Sequence, residues 1–249
     1  MIKITNLSYQ LKNKLILDNI TLEIPLNKIT GIIGPNGCGK TTLLSHLSRK
    51  IATKETIFIE NMPIEKIALN DYAKKVSVMT QQQNSFTLSN FQVKDIVLMG
   101  RYPHKQKFFK YSKNDFDIVE QKFSLVGIEQ LANKKIAHLS GGELQRVFIA
   151  KTLAQESDII LLDEPTNHLD IKYKLQLMNI LKNFTGTVIM VLHDLSLASR
   201  FCDNIILLSK GKIFATGKTN EIMTIDNLKQ VFDVDFFETT QENQRYLYY

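Results

Sequence analysis

The sequence predicts an α/β fold in which a largely parallel central sheet carries an antiparallel β edge and an inserted α-helical subdomain. Strand and helix signals alternate from Ile20 to Leu208, which is typical of parallel strands joined by helices. A short apolar run, Ile29–Ile33, is followed directly by a glycine-rich turn and a helix signal. Between Phe86 and Ala137 strand signals disappear and apolar residues recur at helical spacing, which indicates the insertion.

Short apolar or β-branched segments predict the strands. They are Ile2–Ser8, Thr21–Ile24, Ile29–Ile33, Thr56–Ile59, Val76–Met79, Asp158–Leu162, Thr187–Leu192, Asn204–Leu208 and Lys212–Ala215. The first of these reads as an edge strand, in keeping with the antiparallel β edge of the fold class. Helices are predicted at Thr41–Ser48 and Glu143–Ala154, and Ser89 and Asp115 are predicted to start helices of the insertion.

The chain is predicted to form a single domain over residues 1–249. Residues 1–85 and 138–249 are assigned to the α/β core and residues 86–137 to the helical subdomain. With 249 residues and 44% hydrophobic content, the chain is long enough to bury a sizeable core. No apolar run approaches the ~18 residues that span a bilayer. The two cysteines, Cys38 and Cys202, give no disulfide framework and suit a reducing cytoplasm.

The net charge of +6 is compatible with nucleic acid, anionic lipid or a polyanionic nucleotide as partner. The sharpest basic cluster, Lys105 to Lys113, interleaves lysines with aromatic residues. Such a cluster can be a nucleic-acid platform, a loop near a membrane or protein partner, or an ordinary solvated loop. No further basic stripe supports the first of these interpretations.

From Gly34 to Thr41 the sequence fits the pattern G-x-x-x-x-G-K-[ST], which cradles phosphate groups in many unrelated nucleotide hydrolases. Strand, glycine turn and helix N-terminus aim several backbone N–H groups at one point, which favours an anion. Lys40 supplies a point charge for the β- and γ-phosphates, and Thr41 supplies a hydroxyl ligand for Mg²⁺. The predicted nucleotide-binding residues of this phosphate loop are Gly34, Pro35, Asn36, Gly37, Cys38, Gly39, Lys40, Thr41 and Thr42.

A second helix N-terminus suited to phosphate is predicted at Leu139-Ser140-Gly141-Gly142-Glu143. Ser140 stands where an N-cap residue would be, directly before the helix signal. The two glycines clear space for a ligand, so Ser140, Gly141, Gly142 and Glu143 are predicted to contact nucleotide. Nothing in the sequence alone brings this motif to the phosphate loop.

Two carboxylates, Asp163 and Glu164, follow the apolar run Ile159 to Leu162. Four consecutive apolar residues predict a fully buried strand, whose carboxyl end lies where ligands of open α/β sheets bind. Asp163 is predicted to hold Mg²⁺, through water. Glu164 is predicted to polarise the attacking water or accept its proton in hydrolysis.

The phosphate loop and the run from Leu139 to Arg146 together resemble the ATP-binding cassette (ABC) family. The resemblance covers essentially the whole chain, with the motifs in family order. It implies an ATPase that works as a homodimer, whose subunits pack head to tail around ATP and Mg²⁺. Ser140 and Gly142 of one subunit would then face the γ-phosphate held by Lys40 of the other.

The same resemblance implies further site residues. His193, which follows an apolar run, matches the family's histidine that contacts the γ-phosphate. Gln81 matches a glutamine that touches Mg²⁺ or the attacking water and connects the site to the helical insertion, although the two glutamines that follow it leave the register open. Tyr9 fits the aromatic residue that stacks on adenine. Asp170 is the acidic member of a loop across the dimer interface.

The segment from Val93 to Pro103 narrows the resemblance to ATPases of bacterial importers for ferric siderophores, haem and cobalamin. This implies two integral-membrane permease subunits, an extracytoplasmic substrate-binding protein that acts indirectly, and a place at the cytoplasmic face of the cell membrane. A ferric siderophore is the expected cargo, with haem and cobalamin as alternatives. The alternative of another class is an ABC-type ATPase acting on ribosomes or nucleic acid. The lack of coiled-coil heptads and of a second phosphate loop favours the importer and no nucleic-acid partner. The tail from Asp233 to Tyr249 matches nothing in this pattern.

Overall fold

The computed structural model describes residues 1–80, 87–105, 110–241 and 244–248, and the chain divides into two compact units. The first unit comprises Met1–Ala68 and Thr185–Tyr249, and the second comprises Leu69–Phe184. The limits predicted for the helical subdomain, 86–137, fall inside the second unit. No described helix has both the length and the apolar character needed to cross a membrane.

The strands, in chain order, are β1 (Ile2–Leu11), β2 (Lys14–Ile24), β3 (Ile29–Ile33), β4 (Ile57–Ile59), β5 (Met62–Pro63), β6 (Val76–Met79), β7 (Ile159–Asp163), β8 (Thr187–Val191), β9 (Asn204–Ser209), β10 (Lys212–Lys218), β11 (Phe237–Gln241) and β12 (Gln244–Tyr248). The α-helices are α1 (Lys40–Leu47), α2 (Leu69–Lys75), α3 (Val93–Leu98), α4 (Lys113–Val126), α5 (Gly141–Ala154), α6 (Ile171–Lys182), α7 (Leu195–Phe201), α8 (Thr219–Ile222) and α9 (Ile225–Phe232). Short 3₁₀ helices lie at Ile64–Lys66, Met99–His104, Glu129–Leu131 and Ile136–His138.

Parallel pairing organises the first unit. β3 lies between β8 and β9 and is parallel to both, while β10 pairs antiparallel with β9. Every residue of β3 and β8 is buried, as expected of strands covered on both faces. A separate antiparallel sheet has the strand order β2-β1-β4-β5, which confirms the predicted β edge. β11 and β12 pair antiparallel in the tail, for which the sequence analysis made no structural prediction.

Helices dominate the second unit. β6 and β7 form a parallel pair with Met79 opposite Leu162, and α3 and α4 pack against α5. Within the described residues 87–105 and 110–137 there is no strand; one isolated bridge joins Gln92 to Lys135. The helical character predicted for the insertion is therefore confirmed for the residues described.

The two predicted helix starts in the insertion are wrong. α3 begins after Gln92 and α4 begins after Ser112, and each helix starts with a capping box. In that arrangement the aspartate at the third helical position accepts the backbone N–H of the cap residue. Asp115 is this third residue of α4, and Asp95 has the same place in α3. Ser89 lies in the turn that precedes α3, where its carbonyl accepts a backbone N–H.

β1 runs to Leu11 instead of Ser8, and two further strands of the first unit, β2 and β10, are also clearly longer than predicted. β2 starts at Lys14 instead of Thr21, because its first half pairs with the second half of β1 across a tight hairpin, with Leu11 opposite Lys14. β10 runs on to Lys218, because its pairing with β9 continues to Asn204. Both extensions come from partners along the ladder, which the local sequence pattern does not reveal.

A buried arginine fixes the 3₁₀ turn that follows α3. Arg101 is 5% exposed. Its Nε donates to Asp115 Oδ1 at 3.0 Å, and its Nη1 donates to the Ala154 carbonyl at 2.8 Å and to Glu156 Oε2 at 3.0 Å. Burial acts to raise the pKa of Asp115, but hydrogen bonds from Ser112 and Arg101 outweigh it and hold the pKa below its ordinary value. The turn is thereby tied to α4 and to the end of α5.

At Gly100, directly before this arginine, the turn packs closely against α5. A Cβ at Gly100 would overlap the carbonyl oxygen of Lys151 and lie 3.2 Å from the Cβ of Ala154. We therefore expect Gly100→Ala to lower the free energy of unfolding by about 1–3 kcal/mol, the usual cost of overpacking. Urea denaturation measures the loss, with Ser124→Ala on the exposed face of α4 as the control. Equal stability of the two variants would contradict the close packing of the turn.

Candidate functional site

The phosphate loop joins β3 to α1 and depends on two glycines. Gly34 and Gly39 have φ angles of +149° and +108°, which side chains rarely adopt. A Cβ at Gly34 would overlap the carbonyl oxygen of Leu208, and one at Gly39 would lie 2.7 Å from the side chain of Leu17. The tip of the loop, Asn36 and Gly37, is exposed. Close approach to β9 and β2 therefore shapes the base of the loop and leaves its tip open to solvent.

Lys40 is buried at the first position of α1. It is 6% exposed, and its Nζ donates to the carbonyl oxygens of Gly34 at 2.8 Å and Pro35 at 2.9 Å. No side chain caps α1, because its N-cap residue is Gly39. A cation and the positive end of a helix dipole therefore meet at one loop, which is the electrostatic arrangement that binds phosphate.

The remaining side chains of the loop differ in exposure. Cys38 is 4% exposed, and burial raises the pKa of its thiol above 9.0 although the Lys40 charge acts in the opposite direction. The thiol is therefore protonated at neutral pH. Thr41 is exposed and Thr42 is half-buried, so both residues are at least partly accessible to solvent.

His193 lies at the same sheet edge as the phosphate loop. Ile32 of β3 is paired with Val191 of the parallel strand β8, and the Leu192 N–H donates to the Ile32 carbonyl at 3.2 Å. Gly34 and His193 each stand two residues beyond this pair. His193 is exposed, and Asp194 after it caps α7 by accepting the Leu197 N–H at 3.0 Å. Strand register thus places both predicted phosphate contacts of the first unit together.

Tyr9 contacts a histidine that the sequence analysis did not assign to the site. Its ring meets His46 of α1 edge-on, with ring centroids 4.9 Å apart and planes at 75°. His46 is 2% exposed, and neither ring nitrogen has a hydrogen-bond partner among the described residues. Burial lowers the pKa of His46, so the imidazole is neutral. Tyr9 is half-buried, so part of the residue remains accessible to solvent.

The predicted Mg²⁺ ligand Asp163 and the predicted catalytic residue Glu164 are buried at the end of β7. Asp163 and Glu164 are 3% and 9% exposed, and Glu164 has a left-handed φ of +51°. Asn167 Nδ2 donates to Glu164 Oε2. Gln145 Nε2 donates to the carbonyl oxygens of Glu164 at 3.4 Å and Pro165 at 2.9 Å. The Glu164 carboxylate and backbone are therefore both held by side chains from elsewhere in the unit.

The predicted N-cap of α5 is confirmed. Ser140 Oγ accepts the Glu143 N–H at 3.3 Å, and Glu143 Oε2 accepts the Ser140 N–H at 2.8 Å. The bond from the Ser140 backbone is the largest of the effects that lower the pKa of Glu143. Ser140 is exposed and both glycines after it have no bulk, so the first turn of α5 is accessible.

The loop before α6 lies against this helix end. Gly142 is so close to His168 that an added Cβ would be 3.0 Å from its carbonyl oxygen. Asp170 then caps α6 by accepting the Tyr173 N–H at 3.0 Å, and its side chain is exposed. The motif at Ser140–Glu143 and the predicted interface loop are therefore neighbours within the second unit.

Gln81 lies outside the described residues, whereas the structure describes all of the other predicted site residues. Three residues that contact them had no motif in the sequence to single them out. Gln145, Asn167 and His46 contact predicted site residues, yet each is an ordinary polar residue in its local sequence. Among the residues that the structure describes, no cluster of three or more His, Cys, Asp or Glu side chains could hold a metal ion.

Comparison with known proteins gives consistent matches. Residues 17–167 match the model of the family described as ABC transporter. The iron(3+)-hydroxamate import ATP-binding protein FhuC of Bacillus subtilis is 37% identical over 228 residues, which cover 90% of this chain and 84% of that protein. The ferric enterobactin transport ATP-binding protein FepC of Escherichia coli is 38% identical over 222 residues, with 87% and 81% coverage.

Solved structures of ABC transporter proteins are also similar to this chain. A transporter described as of the metal-chelate ABC type, in an inward-facing conformation, superposes with a TM-score of 0.81 at 28% identity and covers 99% of this chain and 95% of that one. A bacterial ABC transporter cassette solved as a dimer, MJ0796, has a TM-score of 0.76 at 29% identity, with 88% and 99% coverage.

His46 makes the stability of the first unit depend on pH. Because burial lowers its pKa from the ordinary 6.5, the unfolded chain takes up a proton at a higher pH than the folded chain does. Stability is therefore fully present above pH 6.5 and falls below it, by at most about 1.4 kcal/mol per pH unit. We expect His46→Leu to flatten this part of the profile in thermal unfolding measured from pH 5 to 8, and the exposed His138→Leu to leave it unchanged. If His46→Leu and the parent chain lost stability equally as the pH falls, His46 would not be the group responsible for the pH dependence.

Proposed function

The chain belongs to the ABC transporter family as an ATP-hydrolysing subunit, and we propose that it powers the import of a ferric siderophore through a separate membrane permease. The observation that carries the cargo assignment is the similarity, over most of the chain, to ATP-binding proteins named for the import of iron(3+)-hydroxamate and ferric enterobactin. The cargo is assigned from these relatives, since an ATPase subunit of this kind does not itself touch the transported substrate.

We assign the phosphates of ATP to the loop from Gly34 to Thr42. The buried Lys40 ammonium and the uncapped N-terminus of α1 support this role, because together they favour a polyanion. His193 at the same sheet edge is assigned to the γ-phosphate. Tyr9 is assigned to adenine, which an aromatic ring stabilises by stacking.

The chemistry of two side chains fits Mg²⁺. Thr41 and Asp163 offer a hydroxyl and a carboxylate, the hard oxygen ligands that this ion prefers, and phosphates and water complete its shell in such sites. The ion would neutralise charge on the phosphates during hydrolysis. Gln81 is assigned to the same ion or to the attacking water on the family resemblance.

Glu164 is assigned as the group that polarises the attacking water or accepts its proton. Its burial at 9% exposed and its hydrogen bond from Asn167 support a fixed carboxylate orientation. Gln145 holds the backbone carbonyl of Glu164 from α5, the helix that begins at Ser140. A carboxylate held in this way is positioned to act as a general base.

The motif at Ser140–Glu143 is assigned to ATP bound by a second copy of the chain. Its exposed helix N-terminus supports an anion contact, and Asp170 on the neighbouring loop is assigned to the same subunit interface. A cassette that is 29% identical to this chain has been solved as a dimer, which supports the homodimer. ATP would then favour the closed dimer, and hydrolysis would release it.

The 3₁₀ turn after α3 is assigned to the contact with two integral-membrane permease subunits. Arg101 anchors the turn from inside, while the neighbouring Tyr102 is 70% exposed. A rigid turn that presents an aromatic side chain suits a protein interface. The chain would therefore lie at the cytoplasmic face of the membrane, with an extracytoplasmic binding protein delivering the siderophore to the permease.

The base assignment predicts the behaviour of Glu164→Gln. Hydrolysis should fall at least about 100-fold, because a general base contributes that much or more, while ATP binding persists. ATP and Mg²⁺ should then trap the dimer, which size-exclusion chromatography detects. Glu129→Gln, a change at an exposed carboxylate of the same unit, should hydrolyse ATP normally and remain untrapped. Wild-type turnover by Glu164→Gln would show that another group is the base.

The cargo assignment predicts what Lys40→Ala does in cells. Uptake of radiolabelled ferric hydroxamate or ferric enterobactin should be lost, because the phosphate loop no longer holds ATP, while uptake of labelled haem and cobalamin should continue. Lys50→Ala, at an exposed lysine just beyond α1, is the control and should leave all uptake normal. Loss of haem or cobalamin uptake in place of siderophore uptake would reassign the cargo, and unchanged uptake of every substrate would refute it.

A further inference from the structure

We propose that Arg146 is a positioning residue for ATP hydrolysis, which sets the motif at Ser140–Glu143 relative to the loop that ends at Asp170. Arg146 is in the second turn of α5. Its contacts join α5 to the end of α4 and to the start of α6. The inference rests on the proposed use of these two segments at the ATP of a second copy.

The guanidinium of Arg146 is buried in an unusual setting. The residue is 8% exposed, and its Nε has no hydrogen-bond partner among the described residues. Its Nη1 donates to the Gly127 carbonyl at 3.0 Å, and the guanidinium carbon lies 3.8 Å from the centre of the Tyr173 ring. Removing a cation from water is costly, and an apolar side chain of similar volume is often at least as stabilising. Folding stability alone therefore gives little reason for an arginine here.

The Gly127 contact ties α5 to the end of α4. The last carbonyls of a helix lack partners inside it and carry partial negative charge, so a cation is favoured there. Arg146 satisfies the Gly127 carbonyl, and Gln176 of α6 satisfies the Leu125 carbonyl at 3.1 Å. Side chains of α5 and α6 thus meet at one helix end, which fixes the three helices in one arrangement.

The Tyr173 contact reaches the predicted interface loop. Tyr173 is the third residue of α6, and its N–H is the group that Asp170 accepts at 3.0 Å. The Arg146 guanidinium lies over the Tyr173 ring, within the distance at which cation–π attraction acts. Arg146 therefore joins the second turn of α5, the helix that Ser140 caps, to the first turn of α6, which Asp170 caps.

This connection has a consequence for catalysis. Ser140 and Asp170 are both assigned to the ATP held by the second copy, so their spacing decides whether they engage it together. A displacement of about 1 Å in a catalytic arrangement can cost about 100-fold in rate. Loss of the Arg146 contacts should therefore slow turnover and weaken ATP-dependent dimerisation, with little change in the phosphate loop's own affinity.

The test measures kcat, the KM for ATP and the melting temperature of Arg146→Met and Tyr173→Leu in the full chain. We expect each variant to lose at least 10-fold in kcat with KM changed less than 2-fold, and Arg146→Met, which removes the buried charge itself, to keep the parent chain's melting temperature. Combined with Glu164→Gln, each should need at least 10-fold more protein to form the ATP-bound dimer. Arg200→Met removes an arginine that also lies over a ring, Phe201, but is exposed; it should behave like the parent chain.

Two further variants separate positioning from simple packing. Tyr173→Phe keeps the ring and should retain most of the turnover that Tyr173→Leu loses. If Tyr173→Phe were as impaired as Tyr173→Leu, or if kcat fell only in step with the melting temperature, the contact would be structural and the inference wrong. Unchanged kcat in Arg146→Met and Tyr173→Leu would also overturn it.

Ser140→Ala distinguishes failure of this inference from failure of the proposed function. A variant set in which Ser140→Ala slows hydrolysis but Arg146→Met and Tyr173→Leu do not would overturn the positioning role and leave the second-copy contact standing. If none of the three slowed hydrolysis, the assignment of Ser140–Glu143 to the ATP of a second copy would itself fail, and the positioning role with it.

Discussion

Parallel strand pairing is the constraint on which the rest of the structure depends. In the first unit, the register of β3 with β8 brings the phosphate loop and His193 to the same edge, because each follows the paired residues Ile32 and Val191. In the second unit, the register of β6 with β7 delivers Asp163 and Glu164 at the carboxyl end of a buried strand. The strands themselves are buried, so polar site residues occur after their carboxyl ends, where ligands of open α/β sheets bind.

The N-termini of α1 and α5 differ in whether a side chain caps them. α1 starts after Gly39 and receives no side-chain cap, which costs stability but keeps a capping side chain away from its N-terminus. α5 has a complete capping box between Ser140 and Glu143, so part of its positive end is already satisfied. This difference agrees with the proposed roles: α1 holds the phosphates of its own ATP, and α5 contacts the nucleotide of another copy.

Buried arginines fix the second unit. Arg101 is paired with carboxylates and a carbonyl, and it holds the turn that is assigned to the permease. Arg146 has a carbonyl and an aromatic ring as partners, and it joins the motif at Ser140–Glu143 to the loop at Asp170. Because a guanidinium is planar and offers several donors, one side chain can bind three elements at once. Through these contacts, each arginine holds in a fixed position a segment that is assigned to a partner.

The sequence by itself determined the fold class, the strands of the parallel sheet and most of the candidate site residues. β3 and β6 have the predicted limits, and Ser140 is the predicted cap, because apolar runs and capping signals act over a few residues. The helix starts at Ser89 and Asp115 were mispredicted: Ser89 lies in the turn before α3, and Asp115 is the third residue of α4, where a capping box places its aspartate. Only the tertiary structure decided that Tyr9 meets His46, that Gln145 holds Glu164, and that Arg146 reaches Tyr173. Those contacts join elements far apart in the chain or on different helices. They follow from packing in three dimensions, which no local pattern encodes.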